Sequence, residues 1–207
     1  NIERDGTINA VAPFDCSEET IKEELLKREY LISKRIAKRK AVLKEYVNRT
    51  FVEGQSFLYM GESYNLTISD KAKKPLEIID NRFVLSEKYL PKAKEVFVKF
   101  YKKQGLPYIK ERVEYYSKLV GREPVSVRIM DLRSHWASCT PQKSVNFHWK
   151  CVMAKPMIID YLIVHELTHL KYPQHNRQFW DAVFYAMPNY KECEEWLRNY
   201  GVTLDLD

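Results

Sequence analysis

Long apolar runs are missing from this sequence. The longest stretches without a polar residue are a few residues, against the roughly 20 that cross a bilayer as a helix, so no membrane span is expected in the 207-residue chain. Cysteine is scarce: Cys16, Cys139, Cys151 and Cys193 form no C-x-x-C pair. Four isolated thiols in a chain of this length exclude a disulfide framework. They fit a reducing compartment, and a cytoplasmic location is expected. No repeat, low-complexity linker or glycine-rich phosphate loop is visible. Two N-x-T sequons, Asn48-Arg49-Thr50 and Asn65-Leu66-Thr67, carry no meaning without a secretory context. The chain opens on Asn1 and not on a methionine, so its start says nothing about a leader.

Core-forming material is plentiful. Hydrophobic residues make up 45% and aromatics 13%, enough for a packed interior. The 30% of charged residues are mixed in sign, which argues against wholesale disorder. A net charge of +6 permits an anionic partner without demanding one; a solvated surface with a small lysine excess accounts for it equally well.

Along the chain, Asp5-Gly6-Thr7 with Ile8, Ala10 and Ala12 predicts a turn and a short strand ending at Pro13. Asp15 or Ser17 starts a helix with Glu18 and Glu19 in its first turn. Ile21, Leu25, Ile32 and Ile36 recur at helical spacing, predicting one long helix to about Val47. Its outer face carries Lys34, Arg35, Lys38, Arg39, Lys40 and Lys44. Two hairpins follow, Phe57–Met60 with Tyr64–Ile68 about Gly61-Glu62, and Leu76–Ile79 with Phe83–Leu85 about Asp80-Asn81. Helices are then predicted over Lys92–Lys103, stopped by Gly105 and Pro107, and over Tyr108–Val120, stopped by Gly121. Val125, Val127 and Ile129 alternate as a strand, and Lys143–Trp149 reads as another. Met157–Tyr172, Arg177–Met187 and Tyr190–Tyr200 are the last helices. The fold class is α+β, with the change from hairpins to helices near Ser86 as the domain boundary.

Chemistry concentrates in Tyr161–Trp180, YLIVHELTHLKYPQHNRQFW. His165 and His169 are four apart on the predicted helix. At about 100° per residue they sit about 40° apart around the axis and one turn apart along it, so both imidazoles reach one ion. Glu166, beside the first, reaches a metal-bound water instead of the metal; this is H-E-x-x-H, two ligands and a general base. Such a pattern can arise by chance on any helix, and three features argue against chance here. Ile158, Ile159, Leu162, Ile163 and Val164 make the helix a buried one, where unpaired His and Glu are costly. Pro173 breaks it, and His175 follows where a returning chain supplies a third ligand. Three neutral imidazoles leave a fourth zinc position open to water, the pattern of a catalytic site, whereas structural zinc is closed by four ligands rich in Cys. His135 and His148, upstream, read as loop or strand residues.

The segments RSHWASC (Arg133–Cys139), VNFHW and IIDYLIVHELTHLKYPQHNRQFW resemble the YgjP-like metal-dependent hydrolases, a zincin family, in order and spacing. Weaker similarity runs through the rest of the chain. The resemblance implies metal ligands at His165, His169 and His175, a catalytic Glu166, and one Zn2+ per chain, or another divalent metal. It implies a compact zincin-like module over 86–207 behind an N-terminal sheet-and-helix module over 1–85. Ala137 stands where the family block has Gly, which matters only if that backbone needs positive φ. The spacing of His175 also matches metzincins, but Tyr172 replaces their Gly. Arg133, Trp136 and Ser138 are candidate cleft-lining residues, although the block is also explained as an edge strand against the helix. Cys139 is not expected to act as a nucleophile, because a metal-bound water already supplies one.

Three functions compete. Peptide hydrolysis, with a peptide or protein substrate, is what the zincin resemblance implies. The resemblance also takes in UTP pyrophosphatases, so a nucleotide is the alternative substrate for the same site; a three-His centre keeps the metal's full +2 charge and tolerates phosphate. A nucleic-acid-binding role for the basic helix ranks last, because charge runs on helices are usually solvated faces.

Overall fold

The computed structural model of the chain describes residues 10, 12–44, 49–132 and 135–206; the side chains of 35, 38–40 and 42–44 lie outside the description. So do most of the expected opening strand and of the basic face at residues 34–44. Two compact units are formed, Asn1–Val47 with Arg198–Thr203, and Asn48–Leu197 with Leu204–Asp207. No helix among the described residues is long and apolar enough to cross a membrane.

In the first unit Ser17 caps a helix as expected, its Oγ accepting from the Thr20 N–H at 3.2 Å. The single long helix is instead two, α1 (Glu18–Lys27) and α2 (Glu29–Lys44). They part at Arg28, whose backbone leaves the helical region at φ −105°, ψ 3°. α1 buries no residue, so no packed face carries its hydrogen-bond ladder through that point.

The second unit opens with β1 (Ser56–Tyr59) and β2 (Glu62–Ser69), antiparallel about Met60 and Gly61. The turn falls one residue earlier than expected, with φ of 50° at Met60 and 81° at Gly61, the twisted geometry that suits a two-residue hairpin. β3 (Leu76–Ile79) and β4 (Arg82–Ser86) pair antiparallel about Asp80 and Asn81, both also at positive φ. β2 and β4 then pair in parallel, which joins the hairpins into one sheet ordered β1-β2-β4-β3.

α3 (Ala93–Val120) corrects the expectation of two helices. It runs unbroken through Gly105 and Pro107, because one buried face, Phe97, Tyr101, Gly105, Ile109 and Val113, repeats every four residues across both. Gly105 is there for proximity: a Cβ on it would lie 2.4 Å from Val152 Cγ2. Phe97 stacks into the sheet, with its ring centroid 4.5 Å from that of Phe57 and 5.0 Å from that of Phe83. Each such ring is worth about 1.5–3 kcal/mol on burial.

A second sheet has β7 (Ser144–His148) at its centre, parallel to β5 (Ser126–Met130) and antiparallel to β6 (Ala137–Cys139). The W-A-S-C block thus forms an edge strand. Ala137 is not among the residues with positive φ, so alanine meets no backbone strain there.

α4 (Pro156–His169) follows a 3-10 segment, Trp149–Met153. Two anchors hold α4. The β1–β2 turn docks on the segment before it, the Met60 N–H donating to the Val152 carbonyl at 2.9 Å and the Gly61 N–H to that of Met153 at 3.1 Å. Arg112 of α3 grips Asp160 with two hydrogen bonds, of 2.8 and 2.7 Å. α5 (Arg177–Ala186) and α6 (Tyr190–Tyr200) follow, close to expectation.

Candidate active site

α4 is apolar on nearly every side, with Ile158, Ile159, Leu162, Ile163, Val164 and Leu167 all buried, so its position is fixed by packing. His165 and His169 emerge from its last turns. The chain then leaves through Tyr172 and Pro173 and is turned back by Asn176, whose Oδ1 accepts from the Phe179 N–H at 3.0 Å and caps α5. His175 sits just ahead of that cap.

The three imidazoles meet. His165 Nε2 lies 3.2 Å from His169 Nε2 and 3.0 Å from His175 Nε2. Ligands about 2.0–2.1 Å from a tetrahedral zinc lie about 3.3 Å apart, so this spacing suits one small ion. The protonation pattern suits it too. His169 Nδ1 faces the Tyr172 carbonyl at 3.2 Å, which places the proton on Nδ1 and a lone pair on Nε2. Burial, then the neighbouring imidazoles, pushes His165 down to about 3, and burial also lowers His169. Both rings are therefore neutral near pH 7, as a metal ligand must be. A hydrogen-bond reading serves less well, since one His165 Nε2 cannot donate to two partners.

His165 is oriented differently from His169. Its Nδ1 is buried and has no hydrogen-bond partner among the described residues. Rings hold it instead: Tyr161 at 5.8 Å, Phe179 at 5.0 Å and Trp180 at 6.0 Å between centroids. Trp180 also stacks on His175 at 5.6 Å and 23°. The Phe-Trp pair that closes the sequence motif thus supports all three imidazoles, Phe179 also lying 4.6 Å from His169 and 4.7 Å from His175 between centroids, a role that sequence pattern alone does not assign.

Glu166 is 6% exposed. Burial pushes its carboxyl up to about 7, and a hydrogen bond from the Cys139 N–H pulls the other way. That N–H belongs to β6, so the edge strand touches the would-be base directly, through its backbone. The Cys139 thiol is raised by burial and then by Glu166, which makes it a poor thiolate and fits its exclusion as a nucleophile.

Arg133 lies outside the described residues. The Trp136 carbonyl accepts from the His148 N–H at 2.8 Å, and the two rings lie 6.3 Å apart. Ser138 sits mid-strand in β6. His148 ends β7, buried, with Nε2 3.1 Å from Asp131; it and His135 stand apart from the imidazole cluster.

An α+β fold that brings three imidazoles to one point beside a buried carboxylate defines a class, the metal-dependent hydrolases. The chain belongs to the YgjP-like family: the model of its metallopeptidase domain matches residues 1–200. Among solved structures it is similar to the metallopeptidase zymogen abylysin of Pyrococcus abyssi, at 24% identity over 42% of this chain and 89% of that one, with a TM-score of 0.40. No curated protein matches.

Proposed function

We propose that this chain is a zinc-dependent peptidase in which His165, His169 and His175 hold the ion and Glu166 is the general base. The convergence of three Nε2 atoms carries the reading. A zinc ion held by His165, His169 and His175 would supply Lewis-acid polarisation of a carbonyl and a water of lowered pKa. The Glu166 carboxylate would be the proton acceptor and would return the proton to the leaving amine.

The free edge of β6 supports a peptide over other substrates. Trp136 and Thr140 bond to β7, through His148 N–H to Trp136 O at 2.8 Å and Thr140 N–H to Ser144 O at 2.9 Å. Residues between them alternate, so Ala137 and Cys139 turn their backbone groups outward. Cys139 gives its N–H to Glu166. Ala137 keeps its N–H and carbonyl for an extended peptide laid along the edge, beside the base.

The test is to incubate zinc-loaded protein with an unfolded polypeptide and, separately, with nucleoside triphosphates, with Glu166→Gln as control. Polypeptide cleavage that the substitution abolishes supports the proposal. Triphosphate hydrolysis abolished in the same way would move the reading to a nucleotide pyrophosphatase. Zinc bound with neither activity would sink both.

A further inference from the structure

The small sheet has two faces. Ala137, Val145 and Phe147 turn to the core. The other face carries Ser126, Arg128 and Met130 of β5, Ser144, Asn146 and His148 of β7, and Ser138 of β6. Ser126 and Ser144 demonstrate the shared face, as register partners whose hydroxyls lie 2.9 Å apart.

In the next row Arg128 pairs with Asn146, and Asn146 with Ser138. Adjacent strands lie about 4.8 Å apart, so a guanidinium, a carboxamide and a hydroxyl stand abreast across about 10 Å. Asn146 is only 8% exposed, yet its amide has no hydrogen-bond partner among the described residues. Its amide atoms are not sealed from solvent, so what little of Asn146 is exposed leaves them open to a ligand from this face. The Ser138 hydroxyl and the exposed Arg128 guanidinium likewise have no partner among them. The flanking rows are occupied: Ser126 and Ser144 bond each other, and His148 accepts from the Lys150 N–H on Nδ1, leaving its Nε2 proton for Asp131. Asp131, the carboxylate bordering this face, is therefore engaged.

We propose that Arg128, Asn146 and Ser138 form a specificity subsite for an anionic side chain of the substrate, a carboxylate or a phosphorylated residue. The inference rests on the peptidase reading above. A peptide paired to the edge of β6 puts the residue opposite Ser138 on the same face as Ser138. Its side chain becomes the fourth member of the row. It meets the Ser138 hydroxyl and the Asn146 N–H2 as donors, and Arg128 supplies the charge that distinguishes an acid from its amide.

Paired peptides test this, identical but for Glu or Gln, with the substitution walked along the sequence. At one position wild type should cleave the Glu peptide with a kcat/KM about tenfold higher, one charge-assisted contact's worth. In Arg128→Gln, an exposed change with little bearing on folding, that ratio should fall towards one. A wild-type ratio near one at every position, or a ratio indifferent to Arg128→Gln, overturns the subsite. If no peptide is cleaved, the peptidase reading falls, and the row is judged by titrating the intact protein with N-acetylglutamate or inorganic phosphate. A saturable shift of the Asn146 side-chain amide resonances, absent with chloride and weakened in Arg128→Gln, supports an anion site; the arm that saturates first says whether carboxylate or phosphate is preferred. No saturable shift with either probe, or one unchanged in Arg128→Gln, overturns it.

Discussion

Glu166 and His169 sit three residues apart on one helix, and the proposal gives them separable tasks. Glu166→Gln keeps size and shape but accepts no proton. With three imidazoles still in place, metal content and Tm should stay near wild type, while turnover falls by about 100-fold or more, the usual cost of losing a general base. His169→Ala removes a ligand, so metal content itself should fall, and with it the stability that bound ion confers. Elemental analysis beside a melting curve separates the two. Loss of metal in Glu166→Gln would make Glu166 a ligand or a structural partner; full activity with metal retained would remove H-E-x-x-H from the chemistry. The residues of this centre were legible in the sequence because helical geometry is local: the four-residue spacing of His165 and His169, and the Pro173 break, are enough to bring the rings together. The Cys139 N–H on Glu166 was not legible, because it comes from a strand far along the chain and from a backbone group that no side-chain pattern marks.

At the scale of elements, α3 shows a local rule overridden by packing. Gly105 and Pro107 read as helix stops, yet a buried face that repeats every four residues from Phe97 to Val113 runs across them. Pro107 forgoes one hydrogen bond to the Lys103 carbonyl, and the packed face outweighs that loss. Gly105 is required by approach alone. An alanine gains about 0.5–1 kcal/mol in a helix interior, but its Cβ would meet Val152 Cγ2 at 2.4 Å and Cγ1 at 3.0 Å. Val152 is fully buried and stiff at χ1, so overpacking of about 1–3 kcal/mol wins. Gly105→Ala should therefore lower Tm by roughly 2–8 °C. Val152→Ala should be costly alone by leaving a cavity. The double variant should melt higher than the sum of the two losses predicts, because each change makes room for the other. Strict additivity would show that the close approach of α3 to Val152 is not what holds Gly105 in place.

For the whole molecule, the α+β class and both hairpins could be read in advance, since alternation and turn residues act over a few positions. The parallel pairings of β2 with β4 and of β5 with β7 could not, because each joins strands that no short turn connects. The interior those pairings close also sets how the protein responds to alkali. Tyr101 and Cys151 are fully buried, and burial holds both above their ordinary range. Burial likewise pushes Tyr108 up to about 12 and Cys193 up to about 11. Each is an acid that keeps its proton longer folded than unfolded. The unfolded chain therefore binds fewer protons above the unfolded pKa, near 9.0 for Cys and 10.0 for Tyr, and stability falls as pH rises from there towards the folded values. Below pH 9 these groups are protonated in both states and contribute no slope. These groups should thus leave Tm unchanged between pH 8 and 9 and lower it between pH 9 and 11. Cys151→Ala isolates one contribution: it lies away from the imidazole cluster and removes a thiol that must stay protonated. The variant should be somewhat less stable at pH 7, by about 1 kcal/mol for the lost sulfur, yet lose less Tm than wild type between pH 9 and pH 11. Comparing the two proteins at each pH cancels the pH dependence of metal binding, which they share. An equally steep fall in both would mean that the Cys151 thiol ionises as readily folded as unfolded, which a fully buried site does not permit.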